Sequence, residues 1–432
     1  MERSFEVLSS KRFRRLFKEG FWVLLGQAAV VVGMLISVRI LTALLNPTAY
    51  GELALGMTLA TLVNQVLLGP LSNGVSRFYA PAVENGELGN YLLAVRQLVL
   101  YAVGIVILMS PIIISGLAIF GQSKWIVLAG ISLIYAVVRG VNFILNGLQN
   151  AARQRAIVAL HQGAEPWARF SIAAGLIVWF GATSIVAMVG YVISIVLVLV
   201  SQYLIFLKIV PQVEAFDSNI KEWRDKICQY SWPFLTWGIF AWSQQVSDRW
   251  ALRSFGTTYE VGLYAVLFQM GSFPISTGSR LLVQFLTPIF YQRAGDASDI
   301  QRNNNVSNLS LRLTGLVLVG TLVIFFGAFI FHKKIFHIFV DIQYDTVSYL
   351  LPWVFLSAGL FAAGQTLSIN LQSQMKTQSM IIVKITTAIL GVIFNFAGAF
   401  YWGIQGIILS GVLFSVVYLG WMFIIFKRTE SG

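Results

Sequence analysis

Charge is what this 432-residue sequence has least of. Asp, Glu, Lys and Arg make up 11% of it, against roughly 25% in soluble domains. With 57% hydrophobic residues and a mean hydropathy of +0.76, a water-soluble fold could hardly hide so much apolar surface, so lipid is the expected solvent. Cysteine is nearly absent: Cys228 stands alone, which excludes an intrachain disulfide. His161, His332 and His337 are the only histidines. His332 and His337 with Asp341 read as a solvated outer loop, because a five-residue spacing does not align two ligands on a helix, and no metal is expected. No Walker-type glycine loop occurs, which argues against ATP-driven transport within this chain. Alternating strands of about ten residues, the mark of a transmembrane barrel, are missing too. The apolar runs are long and unalternating, as from Ile185 to Phe206, where no residue is charged. In hydrocarbon the backbone must satisfy its own hydrogen bonds, so these runs read as helices.

What is present is a series of about twelve such runs, each long enough to cross a bilayer: 20–45, 49–71, 91–120, 124–149, 155–181, 183–207, 231–256, 259–291, 308–331, 346–371, 378–400 and 403–426. The expected fold class is therefore all-α and polytopic. The net charge of +12 sits mostly at segment ends, which points to topology rather than to nucleic acid. Arg77, Arg153, Arg155, Lys208, Lys221, Arg224, Lys226, Arg293, Arg302, Lys376, Lys427 and Arg428 fall on the N-terminal side of the membrane. Lys124, Lys333 and Lys334 fall opposite, with Arg253 near a helix end. That bias puts both termini inside. The N-terminus, with Arg3, Lys11, Arg12, Arg14, Arg15 and Lys18, leads into a full-length apolar segment, so no cleavable signal peptide is expected.

The main charged break, Pro211 to Gln229, divides the chain into an N-terminal six-helix lobe (1–210), a cytoplasmic linker (211–229) and a C-terminal six-helix lobe (230–432). The halves echo each other. Arg39 and the run Tyr50-Gly51-Glu52-Leu53-Ala54 correspond to Arg249 and the run Val261-Gly262-Leu263-Tyr264-Ala265. Such repeated halves are common in transporters, whose substrate site then lies near the midplane.

Phe21-Trp22, Gln27, Arg39-Ile40-Leu41, Leu44-Leu45-Asn46-Pro47, Tyr50-Gly51 and Arg77-Phe78-Tyr79 resemble the polysaccharide transporter family. Its members are O-antigen and capsule repeat-unit flippases, in the superfamily that also holds multidrug extruders and peptidoglycan-precursor flippases. The resemblance covers the chain in length, span count and lobe arrangement. It implies two six-helix bundles in a V around a central cavity. It also implies a polyprenyl-pyrophosphate oligosaccharide as substrate, with membrane lipids and a polysaccharide biosynthesis complex as partners and nucleic acid not among them. The implied location is the bacterial inner membrane. The peptidoglycan-precursor branch usually carries two further spans, for which this chain has no room.

A charge inside a span is a functional hypothesis by default. Glu165 and Arg169 are four residues apart on one helix face, next to Pro166. They read either as a polar gate, with Glu165 as a proton or sodium site, or as a neutralised internal pair. Arg139, Asn142 and Asn146 share a face and read as cavity lining or as interhelical hydrogen bonding. Asp248 and Arg249 read as a cation-coupling carboxylate beside a substrate arginine, or as a helix-end pair. Arg39 carries a snorkelling alternative, and Arg280 is kept as a candidate because Ser276, Thr277 and Ser279 surround it. Arg96, Arg312 and Lys384 read as snorkelling residues, and Trp232, Trp237 and Trp242 as anchors or packing. A pyrophosphate needs cations that stay charged when desolvated, which arginine provides. The expectation is thus an ion-coupled flippase, neither enzyme nor cofactor-dependent. A multidrug exporter, a membrane-embedded polymerase or ligase, and a scaffolding protein are the alternatives.

Overall fold

The computed structural model describes residues 2–119, 125–209, 220–294, 299–374 and 377–430. Among these the chain is helical throughout. The helices are α1 (Glu2–Leu44), α2 (Pro47–Val63), α3 (Gly69–Glu84), α4 (Leu88–Ile119), α5 (Ile126–Ala151), α6 (Arg155–Phe180), α7 (Ser184–Ile209), α8 (Ile220–Phe255), α9 (Thr258–Ala294), α10 (Ile300–Phe339), α11 (Leu351–Ser373) and α12 (Thr377–Glu430). A π-helical turn, Asn64–Leu68, joins α2 to α3, and a 3-10 stretch, Ile342–Leu350, leads into α11. α12 breaks at Gly403, whose φ of 53° is a left-handed conformation that glycine adopts without a Cβ penalty. Every expected span falls on helix, with 49–71 running over α2, the π turn and the start of α3, and the last two both on α12.

Eight stretches among the described residues are long and apolar enough to cross a membrane by length and composition. The chain is an all-helical, multi-pass membrane protein. The long helices outside that set are α6, α8 and α9. These are the helices that carry Glu165 with Arg169, Asp248 with Arg249, and Arg280.

Several helices overrun their expected ends. α1, α8 and α10 start earlier than hydropathy suggests, and Arg77, expected at a loop, lies within α3. The expected outer loop around 331–345 is mostly helical, since α10 continues to Phe339. Hydropathy marks where apolarity stops, whereas a backbone hydrogen-bond ladder continues into water on polar residues that favour helix. Of the linker 211–229, residues 211–219 lie outside the described residues, as do Lys124 and Lys376. The same holds for the side chains of the N-terminal basic cluster.

The contacts cluster into two compact units: Met1–Leu44 with Gly56–Trp242, and Leu45–Leu55 with Ser243–Gly432. In the first unit α1 packs along α6, α6 along α7, and α5 against α7, α3 and α4. In the second, α11 packs against α9, α10 and α12.

The start of α2 is held in the second unit by local chemistry. Asn46 caps it, accepting from the Ala49 amide at 2.8 Å, with Pro47 in the first turn, where its missing N–H costs nothing. Tyr50 donates to Gln269 Oε1 at 3.0 Å, and Tyr344 donates to the Leu45 carbonyl at 2.8 Å. α9 opens with a reciprocal capping box: Thr257 N donates to Glu260 Oε2 at 2.8 Å, and Glu260 N donates to Thr257 Oγ1 at 3.3 Å. That accounts for Glu260, one of the few acids within a span.

The repeat-related glycines, Gly51 and Gly262, meet where these two helix starts cross. A Cβ on Gly51 would lie 2.8 Å from Gly262 N and would collide with the Thr258 carbonyl oxygen. A Cβ on Gly262 would collide with the Pro47 carbonyl oxygen. Both obstacles are backbone, which cannot swing aside. Gly51→Ala or Gly262→Ala should therefore lower stability in detergent by about 1–3 kcal/mol. Gly320→Ala, where a Cβ meets nothing within 4 Å, should be neutral or mildly stabilising. Thermal unfolding of the three variants checks this, and equal melting temperatures would refute the close crossing.

Candidate functional site

In the first unit a buried charge cluster forms where α5, α6 and α7 meet. α6 brings Glu165 and Arg169, and α5 brings Arg139. Arg139 Nη1 donates to Glu165 Oε1 at 3.2 Å and to the Tyr135 hydroxyl at 3.1 Å. Arg169 Nη1 stands 3.5 Å from the same Glu165 oxygen. One carboxylate thus sits between two guanidinium groups, and the trio carries an excess positive charge.

Aromatic rings complete the surroundings. The Arg169 guanidinium lies over the Tyr191 ring of α7 at 5.2 Å, and Arg139 over Tyr135 at 5.9 Å. Tyr135 and Tyr191 have ring centroids 6.1 Å apart. The Glu165 and Arg169 side chains are 11% and 15% exposed, while that of Arg139 is 41% exposed. Arg139 is therefore the most accessible member of the cluster. The Arg169 Nε is buried with no hydrogen-bond partner, leaving a charged donor in hand. Two guanidinium forks, one with a spare donor, can accept a phosphate-type anion through bidentate, charge-assisted hydrogen bonds.

Asn142 and Asn146 lie elsewhere on α5, in a closed amide network facing α7. Asn142 Nδ2 donates to Gln202 Oε1 at 2.9 Å, and Asn146 Nδ2 donates to Asn142 Oδ1 at 3.1 Å. Gln202 Nε2 donates to Asn146 Oδ1 at 2.8 Å and to Gln149 Oε1 at 2.5 Å. All four side chains are buried. Of the two readings of this stripe, the geometry here is interhelical hydrogen bonding. Arg139, almost in line with Asn146 along α5, turns its longer side chain to α6 instead.

In the second unit Asp248 is buried at 6% exposure. Tyr264 of α9 donates to its Oδ2 at 2.6 Å, and Arg249 Nη1 lies 3.5 Å from Oδ1. Arg249 also sits over the Phe268 ring at 5.1 Å. Beside them Asn395 of α12 donates to Ser247 Oγ at 2.8 Å. This is again an acid, an arginine and an aromatic ring, but with one cation per carboxylate.

Arg280 joins neither cluster. Arg39 is exposed on α1. Arg280 is exposed and donates to Thr277 on its own helix at 3.2 Å. Trp242 donates to the Thr58 carbonyl at 3.0 Å, a packing role. His332 Nδ1 lies 3.2 Å from Ser348 Oγ, and Asp341 caps the 3-10 stretch through the Gln343 amide. No group of three or more His, Cys, Asp or Glu among the described residues could hold a metal ion.

Sequence reasoning missed Tyr135, Tyr191, Gln149, Gln202 and Tyr264. Two signals were available: Tyr135 lies one turn before Arg139, and Gln202 is a lone amide inside the apolar run 185–206.

No protein-family model matches the sequence, and no curated protein matches it either. Solved structures do. The inward-facing conformation of a multidrug resistance MATE family transporter of the MOP superfamily aligns with a TM-score of 0.70 and 14% identity, over 95% of this chain and 96% of that one. The lipid II flippase MurJ, in an inward closed conformation, aligns at 0.71 and 13% identity, over 95% and 87%. The fold is that of the MOP superfamily transporters. A third such protein, from Pyrococcus furiosus and described as having a binding pocket of reverse polarity, aligns at 0.61 and 15% identity, over 95% and 96%. At these identities the likeness concerns the fold alone.

The amide network makes a direct claim on stability. Asn142→Leu and Gln202→Leu each remove the hydrogen bond that the two residues share. The double variant should cost less than the sum of the singles, by about 0.5–2 kcal/mol. Thermal or denaturant unfolding of the four proteins measures this coupling, and strictly additive losses would show that the amides do not act as a unit.

Proposed function

We propose that this protein is a flippase that moves lipid-linked, polyprenyl-pyrophosphate oligosaccharide repeat units across the bacterial inner membrane for surface polysaccharide synthesis. The observation that carries the reading is the Arg139–Glu165–Arg169 cluster. Two arginines share one carboxylate inside a fold that a lipid II flippase and multidrug exporters also have. A pyrophosphate headgroup matches that surplus of positive charge. The expected distribution of Lys and Arg supports cytoplasmic termini. Lipid-linked oligosaccharide is the partner on this reading, with membrane lipids around it and a polysaccharide biosynthesis complex as a further association.

Glu165 supplies a route to ion coupling. Its carboxylate and the substrate phosphates compete for the same guanidinium groups, so protonating Glu165 frees Arg139 and Arg169 for substrate. Such linkage is reciprocal: substrate binding favours proton uptake at Glu165 by the same free energy. Asp248, held by Tyr264 and Arg249, is the matching carboxylate of the second unit, and sodium or a proton is the coupling ion. Alternating access then moves the bound anion. Arg249 is a second substrate contact on this reading, and Arg39 and Arg280 supply further cationic positions along the path. The Asn142–Asn146 pair takes a supporting role, holding α5 against α7.

Export of organic cations is the competing reading. It would need an acid in excess of its neighbouring cations, whereas Glu165 and Asp248 each have an arginine beside them. A membrane polymerase or ligase would act on the same lipid-linked sugars, but the solved structures that share this fold and are described above are transporters.

Reconstitution in liposomes with a fluorescent lipid-pyrophosphate oligosaccharide tests the reading. Protein-dependent movement between leaflets is expected. Arg139→Ala and Arg169→Ala should abolish it while the protein stays inserted and folded, and Glu165→Gln should bind the substrate at least as tightly as wild type with a weakened pH dependence. Wild-type transport by both arginine variants would sink the assignment.

A further inference from the structure

The second unit holds a basic cavity that the transport reading does not use. It has a volume of about 440 Å³ and is lined by Arg293, Arg302, Asn305, Asn308, Leu309 and Arg312. Arg293 comes from the last turn of α9, and the other five come from α10. On an α-helix, 302, 305, 308, 309 and 312 fall within about 120° of one another, at 100° per residue. One face of α10 thus presents two arginines and two asparagines, and Arg293 faces them from the neighbouring helix.

Among the described residues, the acid at this end of α10 is Asp299, and it is already engaged. Asp299 caps the helix, accepting from the Gln301 and Arg302 amides at 2.8 and 3.1 Å. Its other oxygen lies 3.5 Å from Arg302 Nε. Among the described residues the cavity lining contains three guanidinium groups and no carboxylate. The side-chain amides of Asn305 and Asn308 add neutral donors, which suits a multiply oxygenated anion.

Its depth follows from the sequence of α10. Residues 313–332 contain no Asp, Glu, Lys or Arg, a length of about 30 Å at 1.5 Å per residue, which matches the hydrocarbon core. Arg312 ends that run on one side, and Lys333 with Lys334 on the other. The cavity therefore starts at headgroup depth, with Arg312 at the hydrocarbon boundary, and reaches past the headgroup layer to Arg302, about 15 Å further out along the helix. Snorkelling accounts for one arginine at that boundary. It does not account for three arginines and two asparagines around one concavity.

We propose that this α9–α10 cavity is a binding site for a phosphate-bearing anion, with the phosphate of an anionic lipid headgroup as its source. The site shares no residue with the Arg139–Glu165–Arg169 cluster, and its occupancy can be measured without any translocation.

The test uses the full chain in nanodiscs. Phosphatidylglycerol is titrated into phosphatidylcholine discs, and bound lipid is counted by native mass spectrometry. Inorganic pyrophosphate is added in a parallel arm. The Arg293→Gln/Arg302→Gln/Arg312→Gln protein should lose at least tenfold in phosphatidylglycerol affinity. The triple lysine variant should retain part of it, because charge survives while bidentate geometry is lost. Lys333→Gln/Lys334→Gln should leave this binding component unchanged. The single variant Arg312→Gln should lower affinity by severalfold and guards against misfolding of the triple variant. Competition by pyrophosphate alone would keep the phosphate site and reassign its source to a soluble anion. Wild-type affinity for both probes in the triple glutamine variant, or equal loss in the Lys333/Lys334 control, would overturn the proposal.

Discussion

An ionised side chain buried away from water costs several kcal/mol unless it is paired, and α6 carries two of them one turn apart. Glu165 and Arg169 can stay charged there because they neutralise each other and because α5 contributes Arg139 to the same carboxylate. This constraint orders much of the first unit. α5 and α6 must bring Arg139 within hydrogen-bond reach of Glu165, α7 must offer Tyr191 as a face for Arg169, and the amides of Asn142, Asn146, Gln149 and Gln202 hold α5 and α7 together. The same need to satisfy buried polarity produces the Asp248–Arg249–Tyr264 set in the second unit.

The difference between the two sets is one guanidinium. In the second unit acid and arginine balance. In the first they do not, and the buried Arg169 Nε remains without a partner. A surplus donor that is charged and shielded from water is a strong attractor for an anion, because the protein interior screens it less than bulk water does. An anion that displaces Glu165 from these guanidinium groups changes the carboxylate's hold on its proton. On the proposed flippase reading, the exchange of one anion for another on two fixed cations would be the physical basis for coupling.

The sequence made the fold legible because hydrophobic run length is a direct consequence of bilayer thickness. Even the break at Gly403 falls on the first residue of the last expected span. Helix ends were less legible: α10 extends well past its apolar run in both directions, since water does not stop a helix. Within the site, the Glu165–Arg169 pair was readable as an i, i+4 relation, but Arg139 joins it from 26 residues away, and no local pattern encodes that. The asparagines illustrate the complementary case. A polar stripe on a helix face fits both a cavity and a partner helix, and only the position of Gln202 on α7 decides between them. Gly51 and Gly262 were noticed as a repeat, while the reason for them, two backbones in contact, becomes visible only in three dimensions.

The central claim is that this fold carries a site for anions rather than cations. Equilibrium binding to the purified protein decides the sign, with farnesyl pyrophosphate as the anionic probe and tetraphenylphosphonium as the cationic one. The account predicts saturable, salt-sensitive binding of the pyrophosphate that falls at least tenfold in Arg169→Gln, and no specific binding of the cation. Tight binding of tetraphenylphosphonium, with pyrophosphate affinity indifferent to Arg169, would contradict it.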